Sequence, residues 1–148
     1  MFWENLSLSE LDRDQWEALC DGCGKCCLHK LEDEQSQTYQ YTAVACKLLD
    51  LDSCRCSDYS HRKKRVEHCL DLYSQFQSGD RQVFEWLPTS CAYRLRDKGQ
   101  ALPPWHHLIS GDRDSVHDSD NSVRDKVVSG EYVHPEDADQ FIIHWIET

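Results

Sequence analysis

A chain of 148 residues without a Gly/Ser/Pro linker fits a single domain, which we predict to span residues 1–148. Its net charge of -11 would repel a phosphate backbone and excludes nucleic acid as an expected partner. Nine cysteines belong to the 39% hydrophobic fraction, so aliphatic and aromatic side chains are scarce, and something besides apolar burial is expected to stabilise the fold.

The N-terminal segment Met1–Leu6 has neither the basic nor the apolar region of a secretory signal, and no later stretch reaches the roughly 20 apolar residues that cross a bilayer. We therefore expect a cytoplasmic protein without a membrane partner. Thiols stay reduced in the cytosol, so cysteines at this density indicate metal ligation or redox chemistry before disulfides. The odd number of cysteines agrees, since full pairing would leave one over.

The first half of the chain predicts a helix, a cysteine loop and short strands. Ser7 to Glu10 has the capping-box form, and the apolar spacing that follows predicts a helix over 9–19. Residues 20–27 hold four cysteines and two glycines, which is typical of a tight loop around something small. Residues 28–58 carry short apolar runs without a sustained period, and we expect short strands or turns there.

The middle of the chain predicts two helices and an extended segment. The apolar spacing over 60–77 is that of an amphipathic helix, with Cys69 pointing inward. Residues 83–88 are expected to be extended up to a proline. A helix from Ser90 to about Arg96 would then carry Cys91 in its first turn.

The C-terminal third predicts irregular structure followed by a strand and a helix. Paired prolines break regular structure over 102–108. Residues 123–128 are a candidate strand, and Pro135 opens a predicted terminal helix that carries Phe141, Ile142, Trp145 and Ile146. Together the elements predict a small, helix-rich α+β domain that a cysteine-ligated metal centre holds together.

The cysteines after the first predicted helix form the motif Cys-x2-Cys-x2-Cys-Cys. Thiolates two residues apart can converge on one metal ion, because a short turn folds both sulfurs to the same side. Cys20, Cys23 and Cys26 also reproduce the part of a bacterial ferredoxin run in which three thiolates hold three corners of a cubane, with the fourth ligand remote. Such pairs can instead cycle as disulfides, but no βαβ pattern surrounds this motif.

The full set of cysteines is the predicted source of metal ligands. Its members are Cys20, Cys23, Cys26, Cys27, Cys46, Cys54, Cys56, Cys69 and Cys91. Two four-sulfur sites with one thiol left over, or one cluster with several structural cysteines, both fit this number. Cys26 and Cys27 are awkward ligands for a single ion, because successive side chains tend to diverge. An imidazole from His29, His61 or His68 could replace a thiolate.

Several segments are similar to one known family. They are Cys20–Leu31, Cys54–Tyr59, Phe84–Pro88, Cys91–Leu95 and Leu102–His106. On these residues the chain resembles the YcgN-like branch of the CxxCxxCC family from about Phe2 to Val133. The resemblance implies a zinc- or iron-chelating domain of uncharacterised biological role. A more distant relation, the flagellin lysine methylase, carries a similar cysteine cluster that looks like an iron-sulfur site, which favours iron.

Other polar residues are candidates for chemistry beyond metal binding. His106 or His107 would act as a general base, although a surface loop is the commoner use of such a polar stretch. The resembling branch usually has proline where this chain has His107, so no role of that proline carries over. Asp21 and Lys25 lie between the cysteines, where their charge could tune a bound centre.

The sequence therefore predicts a metal-binding protein that holds an iron-sulfur cluster, or else zinc, for electron transfer, sensing or metal handling. Two alternatives stay open. One is a small metalloenzyme that uses His106 or His107 beside the metal, and the other is a structural zinc module that binds a protein partner.

Overall fold

A computed structural model describes residues 1–36, 38–67 and 69–148. The helices and strands, in chain order, are α1 (Phe2–Asn5), α2 (Arg13–Leu19), β1 (Leu28–Asp33), β2 (Thr38–Ala45), α3 (Arg62–Arg65), α4 (Leu72–Gln77), α5 (Val83–Trp86), α6 (Ala92–Asp97), α7 (His107–Ser110), α8 (Ser115–Asp118) and β3 (Val128–Ser129). The 3₁₀ helices cover Leu8–Glu10, Lys25–Cys27, Tyr59–His61, Gly130–Tyr132 and Pro135–Phe141. The predicted α+β class is confirmed, and no helix in these ranges is long and apolar enough to cross a membrane.

The chain divides into two compact units. Unit 1 comprises Met1–Cys23, Leu72–Asn121 and Thr148, and unit 2 comprises Gly24–Asp71 and Ser122–Glu147. The boundary between the first two segments falls inside the cysteine loop. The single domain expected from the sequence stays a prediction.

Unit 1 is centred on the buried side chain of Trp16, which is 2% exposed. Its ring centroid lies 4.7 Å from that of Tyr93, 5.2 Å from that of Phe76 and 5.3 Å from that of Tyr73. The Tyr93 hydroxyl donates to the Trp16 carbonyl at 2.7 Å, so this buried polar group is satisfied. The aromatic cluster thus packs α2 against α4 and α6.

Helix α2 carries Trp16 into this core and delivers the chain to the cysteine loop. The Asp12 carboxylate accepts from the Gln15 N–H at 2.8 Å, which starts the helix four residues later than the predicted 9–19. The predicted capping box is present one turn earlier, where the Ser7 N–H donates to Glu10 at 2.7 Å across a 3₁₀ helix. Leu11 is extended and separates the two.

Unit 2 contains, within the described residues, a three-stranded sheet in the order β1-β2-β3. Strands β1 and β2 are antiparallel, with Leu28 opposite Ala45 and Lys30 opposite Tyr41. Strand β3 runs parallel to β2. The buried core of this unit consists of Leu28, Tyr41, Ala45, Leu49, Cys54 and Val123. The short strands predicted over 28–58 are therefore confirmed.

The single helix predicted over 60–77 is wrong. The described part of this segment has a 3₁₀ turn, the short helix α3 and, further along the chain, helix α4. Helix α3 lies in unit 2, whereas Tyr73 and Phe76 of α4 contact Trp16 in unit 1. The apolar spacing predicted one helix because apolar residues that pack in two different units happen to have helical spacing along the chain.

The extended segment predicted over 83–88 is wrong for its first four residues. Val83 and Phe84 are both buried on helix α5, and Leu87 is buried just beyond it. Successive residues of a strand point to opposite faces, so a helical turn buries this Val-Phe pair on one side more readily. The helix predicted from Ser90 forms as α6, but Cys91 is its N-cap rather than a member of its first turn.

Most of the strand predicted over 123–128 is wrong. Val123 is fully buried, but it opens a turn in which the Lys126 N–H donates to the Val123 carbonyl and Asp125 has a φ of 64°. Only Val128 of that range joins the sheet. The paired prolines do leave 102–106 without helix or strand, and α7 begins at His107.

Pro135 opens a terminal helix as predicted, although it is a 3₁₀ helix that ends at Phe141. The prediction is wrong for Ile142, Trp145 and Ile146, which lie beyond the helix. Ile142 forms an antiparallel bridge with Thr42 of β2, and the Ile143 N–H donates to the Tyr41 carbonyl at 3.0 Å. Pairing with the sheet ends the helix.

Candidate metal centre

The cysteine loop begins in unit 1 directly after α2. Cys20 is exposed, and the Cys23 N–H donates to the buried Asp21 carboxylate at 3.0 Å. Gly22 and Gly24 have φ angles of 79° and 77°, in the left-handed region that side chains disfavour. The glycines therefore give the loop the tight path that the sequence predicts.

Cys26 and Cys27 lie in unit 2, on the 3₁₀ helix that follows Gly24. A hydrogen bond between their side chains, together with burial, raises the pKa of the Cys27 thiol well above its usual value. The two side chains are thus near each other, and the expectation that they are awkward ligands for a single ion stays a prediction. Three residues make one turn of a 3₁₀ helix, so neighbours are about 120° apart rather than on opposite faces.

Pairing of β1 with β2 brings Cys46 beside Cys27. The Cys46 N–H donates to the Cys27 carbonyl at 2.8 Å, which continues the pairing of Leu28 with Ala45. The Cys46 thiol also contributes to the raised pKa of Cys27 through charge repulsion. Cysteines nineteen positions apart in sequence are thus neighbours because they lie just beyond the same end of two paired strands.

The loop after Cys46 returns Cys56 to the same region. The Leu49 N–H donates to the Cys46 carbonyl at 2.9 Å, and Leu49 then forms an antiparallel bridge with Cys56. The Ser57 N–H donates to the Leu48 carbonyl at 2.7 Å and closes the loop. Cys56 is therefore held close to Cys46 by backbone hydrogen bonds.

Cys69 lies between α3 and α4 in the chain. Burial raises the pKa of its thiol, and repulsion from Cys46, Cys56 and Cys26 adds to this shift, whereas Arg62 opposes it. Among the described residues of unit 2, the Cys27 thiol thus interacts with Cys26 and Cys46, and the Cys69 thiol interacts with Cys26, Cys46 and Cys56. We call this group the thiol cluster; it consists of Cys26, Cys27, Cys46, Cys56 and Cys69.

The donor set of the thiol cluster fits zinc or an iron-sulfur cluster, because both are soft centres that thiolates bind. Within 1–36, 38–67 and 69–148, no group of three or more His, Cys, Asp or Glu side chains already has the arrangement of a metal site. The thiols would therefore have to draw together on binding. Rotation of each cysteine about its single side-chain torsion is the movement available.

Two cations beside the thiol cluster were not singled out from the sequence. The Lys30 ammonium donates to the carbonyls of Cys26 at 3.0 Å and Leu28 at 2.9 Å, and it lies 5.0 Å from the centroid of the Tyr41 ring. Burial lowers the pKa of Lys30, and the Cys26 and Cys27 thiols oppose that shift. The second cation is Arg62, whose positive charge acts to lower the pKa of the Cys69 thiol.

Lys25, which the sequence suggested as a tuning residue, is buried and lies 6.0 Å from the centroid of the Trp145 ring. The signal for Lys30 was available in the sequence, since it stands four positions after Cys26 in a segment predicted to be extended. The pairing of Lys30 with Tyr41 could not be predicted, because strand register cannot be read from a single sequence.

Cys54 is buried in the unit 2 core and has a φ of 60°. Burial raises the pKa of its thiol, while hydrogen bonds from the Ser122 side chain and the backbone N–H groups of Val123 and Arg124 oppose the shift. These donors favour a packed, hydrogen-bonded sulfur at this position. A ligand role for Cys54 stays a prediction.

The remaining candidate ligands lie elsewhere or have other contacts. Cys91 belongs to unit 1, where its N–H donates to the Pro88 carbonyl at 2.9 Å. His61 is exposed and pairs through Nδ1 with Asp58 at 2.9 Å. His29 is exposed on β1, and His68 lies outside the described residues. Ligand roles for these residues, as for Cys20 and Cys23, stay predictions.

His106 is fully buried in unit 1, and both of its ring nitrogens have backbone partners. Nε2 donates to the Leu19 carbonyl at 2.7 Å, and Nδ1 accepts from the Leu108 N–H at 3.0 Å. Burial lowers the pKa of His106, which agrees with a neutral ring. This arrangement ties the start of α7 to the end of α2 and leaves neither nitrogen available for a general base.

His107 stacks on His106 with ring centroids 4.5 Å apart. Burial, followed by the charges of His106 and Arg113, lowers the pKa of His107 to about 4, and the Ala18 backbone opposes this shift only in part. Both of its ring nitrogens are buried without a well-formed hydrogen bond to the described residues. The fold therefore keeps the His107 imidazole neutral without giving its nitrogens well-formed hydrogen bonds.

These features define a class: a small, cysteine-rich α+β protein in which cysteines lie just beyond one end of a short sheet. The chain belongs to the CxxCxxCC family, described as "Putative zinc- or iron-chelating domain", which matches residues 19–92. The family resemblance drawn from the motifs is thereby confirmed.

Curated bacterial relatives cover nearly the whole chain. A UPF0260 protein of Ectopseudomonas mendocina (strain ymp) is 50% identical over 142 residues, which cover 96% of this chain and 93% of the relative. Another, of Pseudomonas entomophila (strain L48), is 48% identical over the same shares of both chains. A third, of Pseudomonas fluorescens (strain Pf0-1), is 53% identical over 78% of this chain and 75% of its own. No solved structure matches the chain.

Proposed function

We propose that the protein binds a thiolate-ligated metal centre, an iron-sulfur cluster or alternatively zinc, in the thiol cluster of unit 2. The observation that carries the proposal is the backbone pairing that makes Cys46 a neighbour of Cys27 and brings Cys56 back to Cys46, with Cys69 near enough for its charge to interact with Cys26, Cys46 and Cys56. Neighbouring thiolates repel one another, and a metal centre removes the repulsion because it binds the ionised form. The family description, which covers zinc and iron, supports the same chemistry.

A site with four sulfur ligands would use four of the five cysteines in the thiol cluster and leave one unbound. Cys27 packs against the apolar core of unit 2, and its pKa is raised by the hydrogen bond that its thiol donates to Cys26 as well as by burial. Ionisation of the Cys27 thiol is therefore disfavoured. Our proposed ligands are Cys26, Cys46, Cys56 and Cys69, and Cys27 is a protonated neighbour.

Metal and sulfide analysis tests the proposal directly. The protein is purified without oxygen and without a metal-affinity column, and iron, zinc and acid-labile sulfide are measured per chain. Iron with sulfide identifies a cluster, whereas stoichiometric zinc without sulfide identifies a zinc site. A chain that carries neither metal and takes up neither in vitro would contradict the proposal.

Serine variants test which thiols are ligands. We expect Cys46→Ser and Cys69→Ser to lose bound metal, because each removes a sulfur from the proposed site. Cys54→Ser is the matched comparison, since its hydroxyl can still accept the hydrogen bonds from residues 122–124. Full metal content in both Cys46→Ser and Cys69→Ser would place the site outside the thiol cluster.

A further inference from the structure

A cavity of about 320 Å³ lies within unit 1, whereas the thiol cluster belongs to unit 2. It is bordered by helix α1, the end of helix α6, the turn that follows α6 and helix α7. We call it the Arg96 cavity; the residues that line it include Trp3, Glu4, Arg96, Ala101, Leu102 and Ile109. Pockets that bind small organic molecules have volumes of roughly 300–1,000 Å³, so this one has room for a small ligand.

Arg96 is fixed at the wall of the cavity by the turn after α6. Gly99 has a φ of 70°, and the N–H groups of Gly99 and Gln100 donate to the carbonyls of Arg96 at 3.1 Å and Leu95 at 2.8 Å. This is the Schellman arrangement, in which a left-handed residue ends the helix and reverses the chain. The reversal brings the Gln100 carbonyl to Nη1 of Arg96, which donates to it at 2.6 Å. The guanidinium is therefore held in place through one of its nitrogens.

Nε of Arg96 is buried and has no hydrogen-bond partner in the part of the chain that the structure describes. A buried N–H without a partner loses its hydration and receives nothing in exchange, which is costly for a charged group. Nε and Nη2 lie side by side on the edge of the guanidinium that does not include Nη1, and their spacing matches the two oxygens of a carboxylate. A carboxylate in the cavity would supply the partner that Nε lacks.

Apolar side chains line the cavity beside this guanidinium. Leu102 is buried, whereas Ile109 is 48% exposed and Trp3 is partly exposed. An apolar ligand that covers Ile109 and Trp3 removes their surface from water, which favours binding. The site therefore combines a cation with apolar contact area.

Glu4 restricts the charge of the ligand. It is exposed on α1 and lines the same cavity, but among the described residues no carboxylate forms an ion pair with Arg96. The Arg96 charge thus stays available to a ligand. Like charges repel, so a second carboxylate on the ligand would be disfavoured beside Glu4.

We infer that the Arg96 cavity binds a small apolar monocarboxylate, whose carboxylate accepts hydrogen bonds from Arg96 and whose apolar body packs against Leu102 and Ile109. The size of the cavity favours a compact free acid over a long chain. The site does not depend on the proposed metal centre, because every residue that lines it belongs to unit 1.

Titration of the full chain with phenylacetate tests the inference, followed by the indole N–H signals in the NMR spectrum of the isotope-labelled protein. Comparison with Trp3→Phe identifies the Trp3 signal. We expect phenylacetate to shift this signal until the site is saturated. The uncharged phenylacetamide should not shift it, and phenylmalonate, which carries a second carboxylate, should bind more weakly than phenylacetate.

Variants of Arg96 test the role of its guanidinium. Arg96→Met should weaken phenylacetate binding by roughly 10- to 100-fold, the usual effect of losing hydrogen bonds to a charged group. Arg96→Lys keeps the charge without the paired donors, so it should restore only part of the affinity. Arg113→Met is the matched control, since Arg113 is an exposed arginine of unit 1 that does not line the cavity. Its affinity should be unchanged.

Glu4→Gln tests the same charge balance from the other side. Glu4 is exposed, so this variant should fold even where an Arg96 variant does not. We expect it to bind phenylacetate more tightly and to discriminate less against phenylmalonate, because the repelling charge is gone.

Three results would overturn the inference. The first is a Trp3 signal that phenylacetate does not move up to the limit of its solubility, and the second is equal binding of phenylacetate and phenylacetamide. The third is unchanged affinity in both Arg96→Met and Glu4→Gln, since charge would then play no part. Tighter binding of a peptide that ends in phenylalanine would overturn the assignment to a free acid.

Discussion

The core of unit 1 is built from aromatic rings, whereas the core of unit 2 is a small aliphatic group bordered by thiols. Trp16 alone has three aromatic neighbours with centroids within 5.3 Å. Unit 2 buries a few residues such as Leu28 and Val123, and Cys27 packs at the edge of that core. Apolar burial scales with the area removed from water, so unit 1 has more of its stability built in. Unit 2 is the part of the chain that a metal centre would stabilise.

Removal of the metal should produce the largest difference between the two units. Structural zinc in small domains supplies on the order of 10 kcal/mol of binding free energy at neutral pH, and this energy is coupled to folding. We expect chelation under reducing conditions to abolish hydrogen-exchange protection in β1 and β2, while α2 and α6 stay protected. Equal loss of protection in both units would contradict the comparison.

Truncation of the central tryptophan should produce the reverse pattern. Trp16→Ala removes the ring that contacts Tyr73, Phe76 and Tyr93, and loss of a buried aromatic side chain costs about 3–5 kcal/mol. The free energy of unfolding, measured with denaturant, should fall by that amount, and protection should be lost first in α2 and α6. Metal content should stay unchanged, and a loss of metal in this variant would mean that the units do not respond separately.

Alanine substitutions at the two loop glycines, Gly22 and Gly24, should have smaller and unequal effects on stability. A Cβ at Gly24 would lie 2.8 Å from Cγ2 of Val123 and 3.3 Å from Cβ of Cys54, whereas a Cβ at Gly22 would meet nothing within 4 Å. Both residues have φ in the left-handed region, so each alanine costs about 1–2 kcal/mol for conformation. Gly24→Ala adds a clash of about 1–3 kcal/mol.

Thermal unfolding of the metal-loaded variants checks this difference. Gly24→Ala should also weaken metal retention, because it moves the 3₁₀ helix that carries Cys26 and Cys27. Equal stability of Gly22→Ala and Gly24→Ala would show that the close approach to Val123 has no energetic weight.

Local signals in the sequence predicted the cysteine loop and the small strands, because glycines at 22 and 24 and short apolar runs act over a few residues. The helix over 60–77 could not be corrected in this way. Tyr73 and Phe76 serve unit 1, whereas α3 belongs to unit 2, and periodicity cannot show that a segment changes from one core to another at Asp71.

The motif Cys-x2-Cys-x2-Cys-Cys identified the chemistry of the candidate site but not the set of thiols that lie together. Cys46 neighbours Cys27 through the register of β1 with β2, and Cys56 follows from the bridge to Leu49. Both are long-range pairings, which a single sequence does not specify. Lys30 was missed for the same reason, since its place depends on Tyr41 across the sheet.

The smallest expected effect lies in unit 1, at the position where the resembling branch usually has proline. His107 is the first residue of α7, and His106 before it has φ -62° and ψ 135°, a conformation that a following proline requires. His107→Pro should therefore stabilise the protein by about 0.4–1 kcal/mol, because it restricts the unfolded chain and removes two buried ring nitrogens that lack a well-formed hydrogen bond.

The pH dependence of that gain follows from the pKa of His107, which folding lowers from 6.5 to about 4. Between these values the unfolded chain binds more protons than the folded one, so His107 lowers the stability as the pH falls through this window. Proline does not titrate, so the advantage of His107→Pro should be larger at pH 5 than at pH 7.5. His107→Ala is the control: it should share this pH dependence without the added rigidity of proline. A stability difference between His107→Pro and the unaltered chain that does not change with pH would mean that the imidazole is not held neutral by the fold.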